Sequence, residues 1–236
     1  MTRGIQHLWK AALLSLLVAL LSSGCASLRA PPVPADPPAG HAGAVQAVNA
    51  GFSAVYEGEL GIWFHSIKTI WYAAMPPGGG SLSVAVLSPM GLKIMQMHGT
   101  PAKHSCTIAL PAAARLQPYG ESLWTGLLWS LAEDLQGGEW TWTRQGDQVL
   151  GTVTNGAMRA QCRAEAGSGR LAGKQIFENG RRAYDIRLSG AWSGAERSCP
   201  EQIEIRCTRP RCSLNIKLKS LRWGQGEGEH RDATGP

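Results

Sequence analysis

"EQIEIRCTRPRCSLNIKLKSLRW", Glu201–Trp223, decides the reading of the fold. Ile203, Ile205 and Cys207 alternate with Gln202, Glu204 and Arg206. After Thr208-Arg209-Pro210-Arg211 the alternation resumes, with Leu214, Ile216 and Leu218 against Asn215, Lys217 and Lys219. A period of two sends successive side chains to opposite faces, so each run predicts a strand with one apolar and one wet face. Proline and polar residues make the join a turn. If the strands pair around it, parity puts Cys207 and Cys212 on one face and nearly opposite each other, and a cross-strand disulfide is expected there.

The same period extends upstream. "SLSVAVL", Ser81–Leu87, aligns Leu82, Val84 and Val86; "AYDIRLS", Ala183–Ser189, aligns Tyr184, Ile186 and Leu188. Between "KQIFE" and "RRAYDIRL" stands Asn179-Gly180, the strongest short hairpin signal. Strands recur roughly every 8–12 residues through Gly224, which predicts an antiparallel sheet with one wet face. One segment departs from this. In "YGESLWTGLLWSLAEDL", Tyr119–Leu135, the residues Leu123, Trp124, Leu127, Leu128, Leu131 and Leu135 fall at helical spacing over an arc of about 140°. Trp129 lies off that arc, either as a wedge at the sheet edge or as a membrane or partner contact. The expected architecture is mainly β with α: an unclosed, strongly curved antiparallel half-barrel of eight to eleven strands or so, with a helical lid. Trp63, Phe64, Trp71, Trp140, Trp142 and Trp192 supply bulk for its interior, whether they fill it or line a cavity.

The N-terminus bears on compartment. Arg3 and Lys10 precede Ala11–Leu21, an uncharged apolar run of 11 residues. A bilayer span needs about 20, whereas a signal-peptide core is this short. The run ends at "LSSGC", which resembles a bacterial lipobox with Cys25 as the acylated residue. That divides the chain into a signal peptide over 1–24, an acylated Cys25 with a Pro/Ala-rich tether over 25–48, a folded domain over 49–224 and a polar, Gly-rich tail over 225–236. Ala26 stands where an Asp would signal retention in the inner membrane, so the outer membrane, at its periplasmic face, is expected. Each buried acyl CH₂ contributes about 0.8 kcal/mol, enough for two or three chains to hold the protein there. Losing Arg3 and Lys10 takes the formal charge from +6 to +4, with no dense basic block, so nucleic acid is not an expected partner.

After Cys25 the cysteines are Cys106, Cys162, Cys199, Cys207 and Cys212. An odd count leaves at least one unpaired; beside Cys207–Cys212, either Cys162–Cys199 or Cys106–Cys199 is a candidate second bridge. "HGTPAKHSC" holds His98, His104 and Cys106 at a spacing that fits no standard zinc site, so no metal is expected. No Gly-x-Ser-x-Gly, His-Glu-x-x-His or Cys-x-x-Cys occurs, and "GSGRLAG", Gly167–Gly173, reads as a turn among strands. No catalytic residue and no cofactor are expected.

The acylated start, the strand pair "YEGELGIWF…KTIWYAAM", then "LSVAVLSPMGLKIMQM", a helical middle and the closing "CPEQIEIRC…SLNIKLKSLRW" resemble the LolA/LolB superfamily, including LolB-like outer-membrane lipoproteins. The resemblance spans Val55–Trp223 and is one of pattern and order. It implies an unclosed barrel of about eleven strands with an apolar cavity for acyl chains. Trp63, Phe64, Trp71, Val84 and Val86 would form its wall, and Leu123, Trp124, Leu127, Leu128 and Leu131 its lid. It implies an acyl lipid or acylated protein as cargo and a periplasmic carrier protein as a further partner. It also implies a membrane-facing turn at Pro89, Met90 and Gly91. A methionine at a turn tip either dips into a bilayer, where full burial gains about 1.5–3 kcal/mol, or folds back on its hairpin. The alternative function is a tethered scaffold for a protein partner.

Overall fold

The computed structural model of the protein describes residues 32–38, 49–100, 102–131, 139–194 and 197–224, without the side chains of 191–198. Cys25, the leader, Leu135, the Trp192 side chain and the C-terminal tail therefore lie outside the described residues. One antiparallel sheet dominates. Its strands are β1 (Val33–Pro34), β2 (Phe52–Ile62), β3 (His65–Met75), β4 (Leu82–Leu87), β5 (Lys93–Gly99) and β6 (His104–Ile108). After a helical crossover come β7 (Thr141–Gln145), β8 (Gln148–Asn155), β9 (Met158–Glu165) and β10 (Leu171–Glu178). The last three are β11 (Arg181–Gly194), β12 (Arg197–Thr208) and β13 (Arg211–Trp223). Their spatial order is β1-β7-β8-β9-β10-β11-β12-β13-β2-β3-β4-β5-β6. The sheet is a meander with two free edges, closed in its middle by the last strand pairing with the first long one, Trp223 opposite Phe52.

Among the described residues there are 13 strands, more than the eight to eleven expected. One addition is β1, from the stretch read as tether: Val33 pairs with Arg144 and Pro34 with Thr143. The physical reason is the open edge of β7, whose unpaired groups invite another strand, and an edge is where a proline can be accommodated.

Alternation predicted the faces correctly. Ile203, Ile205, Cys207, Leu214, Ile216, Leu218, Tyr184, Ile186, Leu188, Leu82, Val84 and Val86 all point inward and are buried. Register shifts at Leu171/Gly173, Ile176/Phe177, Val86/Leu87 and Leu218/Ser220 add local twist and bend to the sheet. Asn179 and Gly180 form the β10–β11 corner, both in left-handed conformation.

Between β6 and β7 the chain crosses the concave face, first as a 3₁₀ helix, Pro111–Tyr119, then as α1, Gly120–Leu131. The helix begins one residue later than its apolar spacing suggests, and its far end, toward Leu135, lies outside the described residues.

Candidate functional site

The interior of the half-barrel is built from the inward residues of the sheet and closed by α1. In α1, Leu123, Trp124, Leu127, Leu128, Trp129 and Leu131 are all buried. Trp129, off the predicted arc, is buried because α1 is covered nearly all round. Two glycines let the helix approach closely. A Cβ on Gly126 would stand 2.8 Å from Ile205 Cγ2, and one on Gly120 would run into Cys106 Sγ.

The helix packs on β12 and β11, and the same core holds Tyr56, Leu60, Trp71, Val84, Val86, Met95 and Met97 from β2–β5, each at 0–1% exposure. Side chains that sealed border no void large enough for a water molecule. Trp71 and Trp124 are the largest of the fully buried side chains. A cleft of about 340 Å³ does occur, but at the far edge, among β1, Arg144 and the Glu165–Gly169 turn.

The structure thus brings together Trp71, Val84, Val86, Leu123, Trp124, Leu127, Leu128 and Leu131. Trp63 and Phe64 do not join them. They form the β2–β3 hairpin tip, 76% and 96% exposed. The strand parity that carries Trp71 inward does not extend past the end of β3, and a side chain at a hairpin corner projects off the end of the sheet. Trp140 and Trp142 stack on each other, centroids 5.3 Å apart, over a smaller cluster with Val149, Cys162 and Ala164. Met90 projects at the β4–β5 turn, 83% exposed, while Pro89 and Gly91 turn the chain beneath it.

Polar ties join lid and sheet at several points: the Cys207 thiol donates to the Ser122 carbonyl, and the Tyr184 phenol hydrogen-bonds with Thr125 and Ser122. Ser122 Oγ donates to the Arg209 carbonyl (3.3 Å), and Lys174 Nζ, on a buried side chain of β10, donates to the Trp129 carbonyl (2.7 Å). Trp63 Nε1 donates to Tyr119 Oη. Within the core, Trp71 Nε1 donates to Thr69 Oγ1 at 2.7 Å. The indole N–H groups of Trp124 and Trp129 are buried with no partner among the described residues, an arrangement that native interiors generally avoid.

Cys207 and Cys212 are register partners on the inner face, as the local parity predicted, and the structure holds them as thiols. The hydrogen bond Cys207 donates to Cys212, followed by burial, pushes the Cys207 thiol far up. A second bridge is not formed. Cys199 lies 3.0 Å from Tyr56 Oη, Cys106 lies against Gly120 and Cys162 packs in the smaller cluster. Long-range register, invisible in sequence spacing, sends them to different surroundings.

His98 and Cys106 face opposite sides of the sheet. His98 Nδ1 meets Ser83 Oγ on the outside, and His104 stacks on Trp124 at 5.5 Å. Gly167–Gly173 makes a turn tied by Gly169 N–H to the Glu165 carbonyl.

The buried acids set an alkaline limit. Burial pushes the Cys199 thiol up from 9.0 to about 11, and it pushes the Tyr184 phenol from 10.0 to about 12. Folding favours the protonated forms. Their contribution is complete below pH 9.0 and is lost as pH rises toward 11 and 12, because the unfolded chain gives up its protons first. Denaturant midpoints should hold steady below pH 9.0 and fall steeply toward pH 11; a midpoint unchanged at that pH would refute the account.

No protein-family model and no curated protein matches the chain. Solved structures do. A proposed outer membrane lipoprotein-sorting protein domain from Vibrio parahaemolyticus is 10% identical, with 76% of this chain and 88% of that one covered and a TM-score of 0.51. A DUF1329 family protein from Desulfovibrio piger is 12% identical, with 82% and 96% covered and a TM-score of 0.52. A LolA superfamily protein from Nitrosomonas europaea is 8% identical, with 78% and 93% covered and a TM-score of 0.45. At such identities the likeness is one of fold. The protein is an open antiparallel half-barrel with a helical lid, a fold it shares with the first two of these structures.

Proposed function

We propose that this is an envelope lipoprotein, acylated at Cys25 and held at the periplasmic face of the outer membrane. In this reading it takes up an acyl chain of a lipid or lipoprotein and assists its insertion there, with the Pro89–Met90–Gly91 turn toward the bilayer. The observation that carries the reading is the seating of α1. It buries Leu123, Trp124, Leu127, Leu128, Trp129 and Leu131 in the apolar core against β11 and β12, and two of its indole N–H groups have no partner among the described residues. Apolar contact depends on area removed from water rather than on direction. An acyl chain entering that core would recover about 0.8 kcal/mol for each CH₂ removed from water.

The fully sealed interior favours a second reading, a tethered scaffold for a protein partner. Native mass spectrometry of the protein extracted in polymer-bounded lipid discs separates the two. A bound acyl species beyond the anchor is the expected result. Consistently empty protein with a co-purifying polypeptide would favour the scaffold. An oxidising compartment would also close Cys207–Cys212, and the same spectra would read the mass deficit of that bond.

A further inference from the structure

Strand direction alternates throughout the sheet, so the turns that end β2, β4, β8, β10 and β12 all lie at one end of the half-barrel. Adjacent turns there touch. Asn179 N–H donates to the Ala157 carbonyl, Thr208 Oγ1 to the Arg182 carbonyl, and Cys212, beside the next turn, pairs with Ile62. The large apolar side chains exposed at this end are Trp63, Phe64, Met90 and Leu92.

Charge separates the two ends. Arg159, Arg181, Arg182, Arg209, Arg211 and Lys93 stand exposed in or beside these turns, with Glu178 the one acid among the same segments. Arg182 shares its charge with Asp185 at 3.6 Å. In or beside the described turns of the opposite end stand two acids, Asp147 and Glu165, against three bases, Arg144, Arg170 and Lys103. Most of the basic excess thus sits beside the exposed aromatics.

Trp63 is held at φ 55, a left-handed corner that a bulky residue rarely occupies and that glycine takes more readily. Neither Trp63 nor Phe64 is buried by the fold. Such strained, exposed groups point to a function outside folding.

We propose that this end docks on a bilayer surface bearing anionic phospholipid, with Trp63 and Phe64 entering the interface and the arginines meeting lipid phosphates. A bilayer fits better than a protein partner because the apolar groups stand on separate projecting hairpins. Each can enter lipid on its own, whereas a protein interface needs one continuous complementary patch. Guanidinium forks bind phosphate oxygens in pairs, which suits the basic residues surrounding them. The proposal rests on the membrane-facing reading of the Met90 turn and extends it to four neighbouring turns. It does not depend on the interior taking up a chain.

The test reconstitutes the full chain in phosphatidylcholine vesicles with brominated acyl chains, with and without phosphatidylglycerol, and compares tryptophan quenching with that of W63F. Extra quenching in the wild type, present only with phosphatidylglycerol, is expected. R209Q/R211Q should weaken docking on the order of 25-fold. F64S, at a side chain the fold leaves in water, should weaken it without changing circular dichroism. Equal quenching of wild type and W63F overturns the proposal, as does quenching indifferent to the anionic lipid. Empty protein in the native mass spectrum would instead overturn acyl uptake and leave this result standing.

Discussion

Trp124→Ala should lower the unfolding free energy by about 3–5 kcal/mol, the range for deleting a large buried aromatic. Trp124 is 1% exposed, lies on the inner side of α1 and stacks on His104 of edge strand β6. Its indole N–H has no partner among the described residues, so the substitution removes packing without breaking a hydrogen bond. What remains is an apolar void under the lid, and such voids stay dry and admit apolar ligands. Urea unfolding reads the first effect. The second is read as a rise in melting temperature with a medium-chain fatty acid, larger for the variant than for the wild type. A stability loss below about 1 kcal/mol would mean that α1 is not seated in the core as described. A variant that gains no stability from fatty acid would count against the core as a place for acyl chains.

Gly58→Ala carries the other large effect, for a backbone reason. Gly58 lies in β2, opposite Ile216 of β13 and Thr69 of β3, in the seam that joins the C-terminal half of the sheet to the N-terminal half. A Cβ there would overlap the Asn215 carbonyl oxygen and press on Ile216 Cα. Both belong to the backbone of a paired strand and cannot rotate away. A loss of about 3 kcal/mol is expected, at the upper end for overpacking, even after the stabilisation of up to about 1 kcal/mol that Gly→Ala brings through the unfolded chain. Gly61→Ala is the control. Its nearest obstacle is Ser213 Oγ, a side-chain atom that can swing aside, so its cost should stay within about 1 kcal/mol. Equal denaturant midpoints for the two variants would show that the seam tolerates displacement.

Local pattern carried much of this in advance. Alternation over Glu201–Trp223 fixed which side chains point inward, because side-chain direction in a strand depends only on parity. It also brought Cys207 opposite Cys212, since a short turn fixes register across its own hairpin. The spacing in Tyr119–Leu135 revealed α1 and its apolar face. Arg209 and Arg211 could be recognised as turn residues, but not as neighbours of Trp63. That adjacency comes from β13 pairing with β2, a contact between opposite ends of the chain.

Sequence by itself therefore determined most of the strands, their faces and the helix, because each of these follows from short-range periodicity. Tertiary structure alone decided that Trp71 and Trp124 are buried in the interior while Trp63 and Phe64 stand in water. The same residue type serves both places, and what separates them is volume and register between distant strands. Those quantities exist only once the sheet has curved and the helix has settled across it.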